Sequence, residues 1–310
     1  MIRTVIAALT TVGGLAMSAP VYAADELELW PTSQWSVEEF DEKCRLSRRF
    51  GRGDDLSRLW IEKGGIGAAF NMTLIGRPFR HPYGSKVSVQ FVPEPEYSRA
   101  YITAESNQGR PVVSLFGVLL SPQPAELEPQ DRDADSGTAE TVRYDEDAYP
   151  SDGAIGRTGY DERVEAINRL RLGGALLDPV TLVTGPLEEP LPSLAECTEK
   201  LDEWITRNTA EAASAVQPVE LERWAAILQA NYPRQMLRAE EEARIGVRLT
   251  IGTDGKPSYC EVTAVVGPTS FNDTVCLLML RHATFEPARD ENGDPLVSRY
   301  STRVSFRLNR

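Results

Sequence analysis

The sequence has little of what most often carries catalysis or metal binding. It contains two histidines, His81 and His282, and four cysteines, Cys44, Cys197, Cys260 and Cys276. Neither histidine has a partner in an HExxH pattern, and no cysteine has zinc-knuckle spacing, so no metal site is expected. No G-x-S-x-G nucleophile elbow occurs. Gly64-Gly65-Ile66-Gly67 is glycine-rich but lacks the Lys-Ser/Thr of a phosphate loop, and reads as a turn or bulge. Positive charge is also short: 33 Lys and Arg stand against 46 Asp and Glu, a net charge of −13. That balance argues against a nucleic-acid partner, which needs a concentrated basic surface. No apolar run reaches the ~18 residues of a spanning helix. What remains is ordinary globular composition, 41% hydrophobic and 25% charged over 310 residues. This is enough for a real core and, by length, about two domains.

The first residues read as a targeting segment. A short positive end at Arg3 precedes an apolar stretch from Thr4 to Met17, broken by Ser18-Ala19-Pro20 and followed by Val21-Tyr22-Ala23. The expectation is a secretory signal peptide over residues 1–23, with an uncleaved anchor as the alternative. Export would make disulfides favourable. Four cysteines allow three pairings. Cys260 and Cys276 lie close together in one unit and are paired here, which leaves Cys44 with Cys197.

Residues 24–208 are expected to form a β-rich N-terminal domain. Strands are expected at Ile66 to Ile75, Lys86 to Val92, Ala100 to Ala104 and Val112 to Leu120, separated by Gly- and Pro-containing turns. Residues 123–162 are acidic and poor in large apolar groups. They read as a disordered insertion or linker, the alternative being an acidic partner-binding loop. Beyond it, Val164, Ile167 and Leu170 have helical spacing, and Leu176 to Val183 suits a short buried strand. A helix then opens at Pro192-Ser193, with Leu194, Cys197, Leu201, Trp204 and Ile205 on one face. Residues 209–230 are read as a linker with a short helix from Val219 to Ala230.

The last unit, residues 231–310, is the most regular. Pro233 suits the first turn of a helix. Ile245, Val247, Leu249 and Ile251 alternate with polar or small residues, as in a half-buried strand. Thr253-Asp254-Gly255-Lys256 is a hairpin turn. Phe271, Val275, Leu278, Met279 and His282 give a helix an apolar face. Tyr300, Thr302, Val304, Phe306 and Leu308 alternate with Arg299, Ser301, Arg303, Ser305 and Arg307 in a closing strand. Helix, strand, strand, helix, strand is an α+β arrangement, with helices packed on an antiparallel sheet.

The Tyr232-Pro233 opening, the turn Asp254-Gly255-Lys256-Pro257 and the step Phe285-Glu286-Pro287-Ala288 occur in that order. Together they make residues ~228–310 resemble the C-terminal domain of TonB-family proteins. The resemblance implies a periplasmic domain that binds an extended segment of an outer-membrane receptor by adding it to a sheet edge. It implies that Gln229, three residues before Tyr232-Pro233, lies near that segment. The candidate peptide-binding set is therefore Gln229, Tyr232, Pro233, Arg299, Ser301, Arg303, Ser305 and Arg307. A conventional transducer has an inner-membrane helix, and this chain is expected to have a cleavable signal and a folded N-terminal unit in its place. The expected function is that of a periplasmic adaptor without cofactor, linked to TonB-dependent outer-membrane transport. The rival reading is an envelope hydrolase with its site in the N-terminal domain. The closing strand could also pair two copies as a homodimer.

Other patterns have plainer readings. Asp135-Ser136-Gly137-Thr138 matches an aspartic-protease tetrapeptide, but it lies in the acidic stretch without a second copy. Asp131, Asp133 and Asp135 have calcium-loop spacing, but Ser136 and Val142 occupy the places of the required Gly and Glu. Arg299, Arg303 and Arg307 share one face of the closing strand, where they either guard an edge against aggregation or meet an acidic partner.

Overall fold

A computed structural model describes residues 26–80, 84, 86–121, 164–268 and 270–308. The expected signal peptide, the acidic insertion with its aspartate patterns, and His81 lie outside the described residues. The chain is α+β, a large curled sheet followed by a smaller helix-on-sheet unit.

The N-terminal strands are β1 (Leu27–Leu29), β2 (Ser36–Glu39), β3 (Cys44–Phe50), β4 (Ser57–Lys63), β5 (Phe70–Ile75), β6 (Lys86–Val92), β7 (Tyr97–Glu105), β8 (Pro111–Val118), β9 (Arg169–Gly174) and β10 (Val180–Leu182), followed by helix α1 (Pro190–Glu211). Among the described residues they form one sheet in the order β1-β10-β9-β6-β7-β8-β5-β4-β3-β2. Strand β7 makes the sheet turn: Tyr97 to Ala100 pair with β6, and Tyr101 to Glu105 pair with β8. The inner face is a period-two apolar set that includes Leu46, Leu59, Ile61, Met72, Leu74, Val87, Val89 and Phe91, all buried. Helix α1 closes this core with Leu191, Leu194, Leu201 and Ile205, and the Cys44–Cys197 disulfide fastens it to β3.

Three expectations differ from the structure here. The strand expected from Ile66 begins only at Phe70, because residues 64–68 turn away as a glycine-rich bend. Residues 164–166 are helical, as the spacing from Val164 predicts, but the helix does not reach Leu170, which is in strand β9, where it and Leu172 are buried with period two. Trp204 is 41% exposed. The buried stripe of α1 runs through Thr198, whose hydroxyl donates to the Leu194 carbonyl at 2.7 Å, and leaves Trp204 at its rim.

The C-terminal elements are β11 (Gln217–Val219), α2 (Leu221–Ala230), α3 (Arg234–Arg238), β12 (Ala243–Ile251), β13 (Pro257–Val266), α4 (Ser270–His282), β14 (Thr284–Glu286), β15 (Ala288–Arg289), β16 (Pro295–Leu296) and β17 (Ser298–Phe306). Strands β13, β12 and β17 form an antiparallel sheet in that order. Helix α4 buries Phe271, Val275 and Met279 against Ile245, Val247, Leu249 and Phe306, and the Cys260–Cys276 disulfide joins it to β13. The β12–β13 turn needs its glycine: Gly255 has φ +76°, and a Cβ there would lie 2.1 Å from the Phe285 carbonyl oxygen.

The stretch expected as a linker is built into this second unit. Strand β11 pairs with β14, the N–H of Ala213 donates to the Arg289 carbonyl at 2.8 Å, and Trp224 of α2 packs on Phe285 with ring centroids 6.3 Å apart. Val216, Trp224 and Leu228 belong to the C-terminal core.

The sheet face opposite α4 rests on the N-terminal domain. Thr250, Tyr259 and Arg299 form one cross-strand row on that face. The Tyr259 hydroxyl donates to the Ala69 carbonyl at 2.8 Å, and the Thr250 hydroxyl to the Gly64 carbonyl at 3.3 Å. Gly64-Gly65-Ile66-Gly67 is the saddle under this row. A Cβ on Gly64 would lie 2.7 Å from the Tyr259 Cβ. Val297, just before β17, joins the N-terminal core.

Candidate functional site

Strand β17 is the outer strand of the C-terminal sheet and, among the described residues, pairs only with β12. Its alternation explains its placement. Val304 and Phe306 turn into the core, while Ser301 and Arg303 are exposed. In an antiparallel strand, the N–H and C=O of one residue point to the same side, and the side alternates along the chain. Two side-chain contacts fix which residues point away from β12. The Arg299 N–H donates to the Thr209 hydroxyl oxygen at 2.9 Å, and the Ser305 carbonyl accepts from the Gln229 amide at 2.6 Å. Arg299, Ser301, Arg303 and Ser305 thus carry the free-edge groups. The backbone groups of Ser301 and Arg303 between these caps have no partner among the described residues.

The expected site residues fall into three groups. Gln229, Ser301, Arg303 and Ser305 come together on the open edge. Tyr232 and Pro233 do not reach it. The Tyr232 ring packs edge-on against Phe271 and Phe306, with centroids 5.3 and 5.4 Å away, and its hydroxyl donates to the Glu241 carbonyl. Burial, with Glu241 and Glu242 nearby, pushes that hydroxyl above its ordinary pKa. Pro233 accepts the first backbone bond of α3, from the Leu237 N–H at 2.9 Å. The pair fixes where α2 ends, and so where Gln229 lands on β17.

In the third group Arg299 and Arg303 share one sheet face, as expected, but not one environment. Arg299 is an internal pin: its guanidinium meets the Asp202 carboxylate of α1 at 2.5 Å and also bonds the Thr250 hydroxyl. Burial lowers its pKa, and the Asp202 charge opposes that shift. Arg303 is exposed, whereas Arg307 lies past the last strand residue. The reason is α1, which covers the Arg299 end of the strand and leaves the Arg303 end bare. Sequence reasoning missed Asp202 and Thr209, and no local signal marks them: both are polar residues late in an amphipathic helix.

Lys63 lies at the same domain junction. Its amino group donates to the Gly67 carbonyl at 2.6 Å. Burial lowers its pKa to about 8, against the opposing pull of Glu261 and Glu199. Glu261, on the neighbouring β13, is 3.7 Å from Arg248.

The fold defines a small α+β module whose outer strand is covered at one end and open at the other. Residues 229–308 match the model of the Gram-negative bacterial TonB protein C-terminal family, and this part of the chain is a TonB-family C-terminal domain. No curated protein and no solved structure matches the chain. TonB-type C-terminal domains are envelope-associated, bind proteins such as outer-membrane receptors, and serve binding and energy transduction, not catalysis. Among the described residues no helix is long and apolar enough to cross a membrane.

Proposed function

We propose that the protein is a periplasmic adaptor whose strand β17 takes up an extended peptide by β-augmentation, in connection with TonB-dependent outer-membrane transport. The observation that carries this reading is the unpaired backbone of Ser301 and Arg303, lying between the Thr209 and Gln229 caps in a TonB-family domain. A strand added there gains its affinity from backbone bonds to these residues and its register from the caps on either side. Helix α1 restricts the usable edge to the Arg303 end, so the bound segment is short. Two disulfides suit an oxidising compartment.

The test uses parity. Arg303→Pro deletes an outward N–H without taking a bond from β12, whereas Arg303→Ala removes only the charge. Full-length wild type and both variants serve as bait for detergent-solubilised outer membrane. The expected result is a receptor-type partner retained by wild type and Arg303→Ala and lost with Arg303→Pro. Retention of the same partner by a folded Arg303→Pro variant would exclude the edge as the binding surface.

A further inference from the structure

The outward face of β3 and β4 carries a concentration of arginine that the net charge of −13 makes unexpected. Two hollows of about 360 and 170 Å³ lie on this face and meet at Arg49, Arg58 and Trp60. The four arginines of the larger hollow are not equivalent. Arg45 is committed: it pairs with Glu62 at 2.8 Å and lies 3.9 Å over the Trp60 ring. Arg48 is committed too, donating to the Ser33 and Thr184 carbonyls. Arg49 and Arg58 have no carboxylate or carbonyl partner for their guanidinium groups among the described residues, and both are exposed. They stand directly opposite each other across the β3–β4 ladder.

Like charges directly opposite in a sheet are destabilising. The pair is relieved when one oxyanion accepts from both guanidiniums, the geometry in which arginine forks are strongest. The rest of the lining is mostly hydroxyl and aromatic, with one carboxylate, Glu38, held 3.7 Å from Arg45. The Ser36 and Ser47 hydroxyls are 3.0 Å apart, Trp60 lies across the ladder from Ser47, and Trp35 forms a second aromatic wall. Hydroxyl groups and flat rings suit a sugar. The backbone of β3 and β4 is already paired on both sides, so a peptide lying on this face gains no backbone bonds from them.

We propose that this face is a binding site for a saccharide bearing an oxyanion, phosphate or carboxylate, with Arg49 and Arg58 gripping the anion and Trp60 supporting the ring. The site belongs to the N-terminal domain and is independent of the β17 edge.

The test is isothermal titration of the full-length protein at low salt with five probes: a phosphorylated disaccharide, the matching uronic-acid disaccharide, the neutral disaccharide, inorganic phosphate and a polyglutamate peptide. At least one charged disaccharide is expected to bind tenfold or more tighter than the neutral sugar, inorganic phosphate and polyglutamate; which one binds tighter identifies the anion. Arg49→Ala/Arg58→Ala and Trp60→Ala should each weaken that binding at least tenfold. The arginine double variant should melt no lower than wild type, since it removes a repulsion. Equal binding of neutral sugar, preference for polyglutamate, an absence of binding by both charged sugars, or unaltered binding by the double variant would overturn the proposal. A large fall in melting temperature of the double variant would also do so, by showing that the arginines serve the fold.

Discussion

Arg299 of β17 and Asp202 of α1 hold the two domains together through a 2.5 Å contact between side chains only 10% and 17% exposed. The same helix supplies Thr209 to the backbone N–H of Arg299. One helix of the N-terminal domain thus fixes both the side chain and the main chain at one end of the candidate binding strand.

Replacing Asp202 by Ala leaves a buried guanidinium without its counter-charge. Such one-sided removals cost about 3–5 kcal/mol. The expected outcome is a clear loss of stability in urea titration, with the C-terminal unit released first. Asp202→Ala/Arg299→Met should recover part of the loss, because the unpaired charge is gone.

Proline placement should distinguish the two sides of β17. Val304 has the parity that points toward β12, so Val304→Pro removes a ladder bond and unfolds or strongly destabilises the C-terminal sheet. Arg303→Pro should leave circular dichroism and melting close to wild type. Equal stability of the two variants would show that the parity is wrong.

Lys63 gives the stability a pH signature. Its folded pKa is about 8, below the ~10.4 of an unfolded lysine. Between these values the unfolded chain holds a proton that the folded chain has released. Stability contributed at this site therefore rises with pH from about 8 to 10, by up to about 1.4 kcal/mol per pH unit. Below pH 8 the penalty of burying the charge is constant. Comparing denaturant titrations of wild type and Lys63→Met at pH 8 and pH 10 isolates the effect: wild type should gain relative to the variant at the higher pH.

The glycine saddle should tolerate substitution unevenly. At Gly64 a Cβ meets the Tyr259 Cβ at 2.7 Å and the Glu42 carbonyl oxygen at 2.9 Å, neither of which can swing aside. At Gly67 the nearest group is the end of the Glu261 side chain. Gly64→Ala is expected to cost about 1–3 kcal/mol, and Gly67→Ala less. Thermal melts of the two variants would rank them.

Much of the C-terminal unit was legible because its signals are local. Period-two alternation placed β12 and β17, an Asp-Gly pair placed their hairpin neighbour, and an apolar stripe placed α4. Gln229 could be placed through the family resemblance, and its contact with Ser305 spans 76 positions. What was not legible depends on which element lies against which. Tyr232 looked like a site residue and is an aromatic wedge between Phe271 and Phe306. Arg299 looked like its neighbours in the alternation, yet α1 covers only its end of the strand. The Arg49–Arg58 pair could have been suspected from polar alternation in two adjacent strands, but its register needed the fold. Residues 209–218 looked like a linker because they are Ala-rich and polar, yet they lead straight into the strand that residues 217–219 lay along β14.

That last pairing changes where the molecule can be divided. The family match begins at Gln229, but β11 and most of α2 precede it and cover Phe285 and the edge of β14. A fragment cut at the family boundary would carry a bare aromatic surface and an unpaired strand, both invitations to aggregate. A cut near residue 212 would keep β11 and α2 with the unit, though it would still uncover the Thr250, Tyr259 and Arg299 row that rests on the N-terminal domain. In this chain the module has taken possession of its own tether, so the two halves are joined by a short, structured seam instead of a leash.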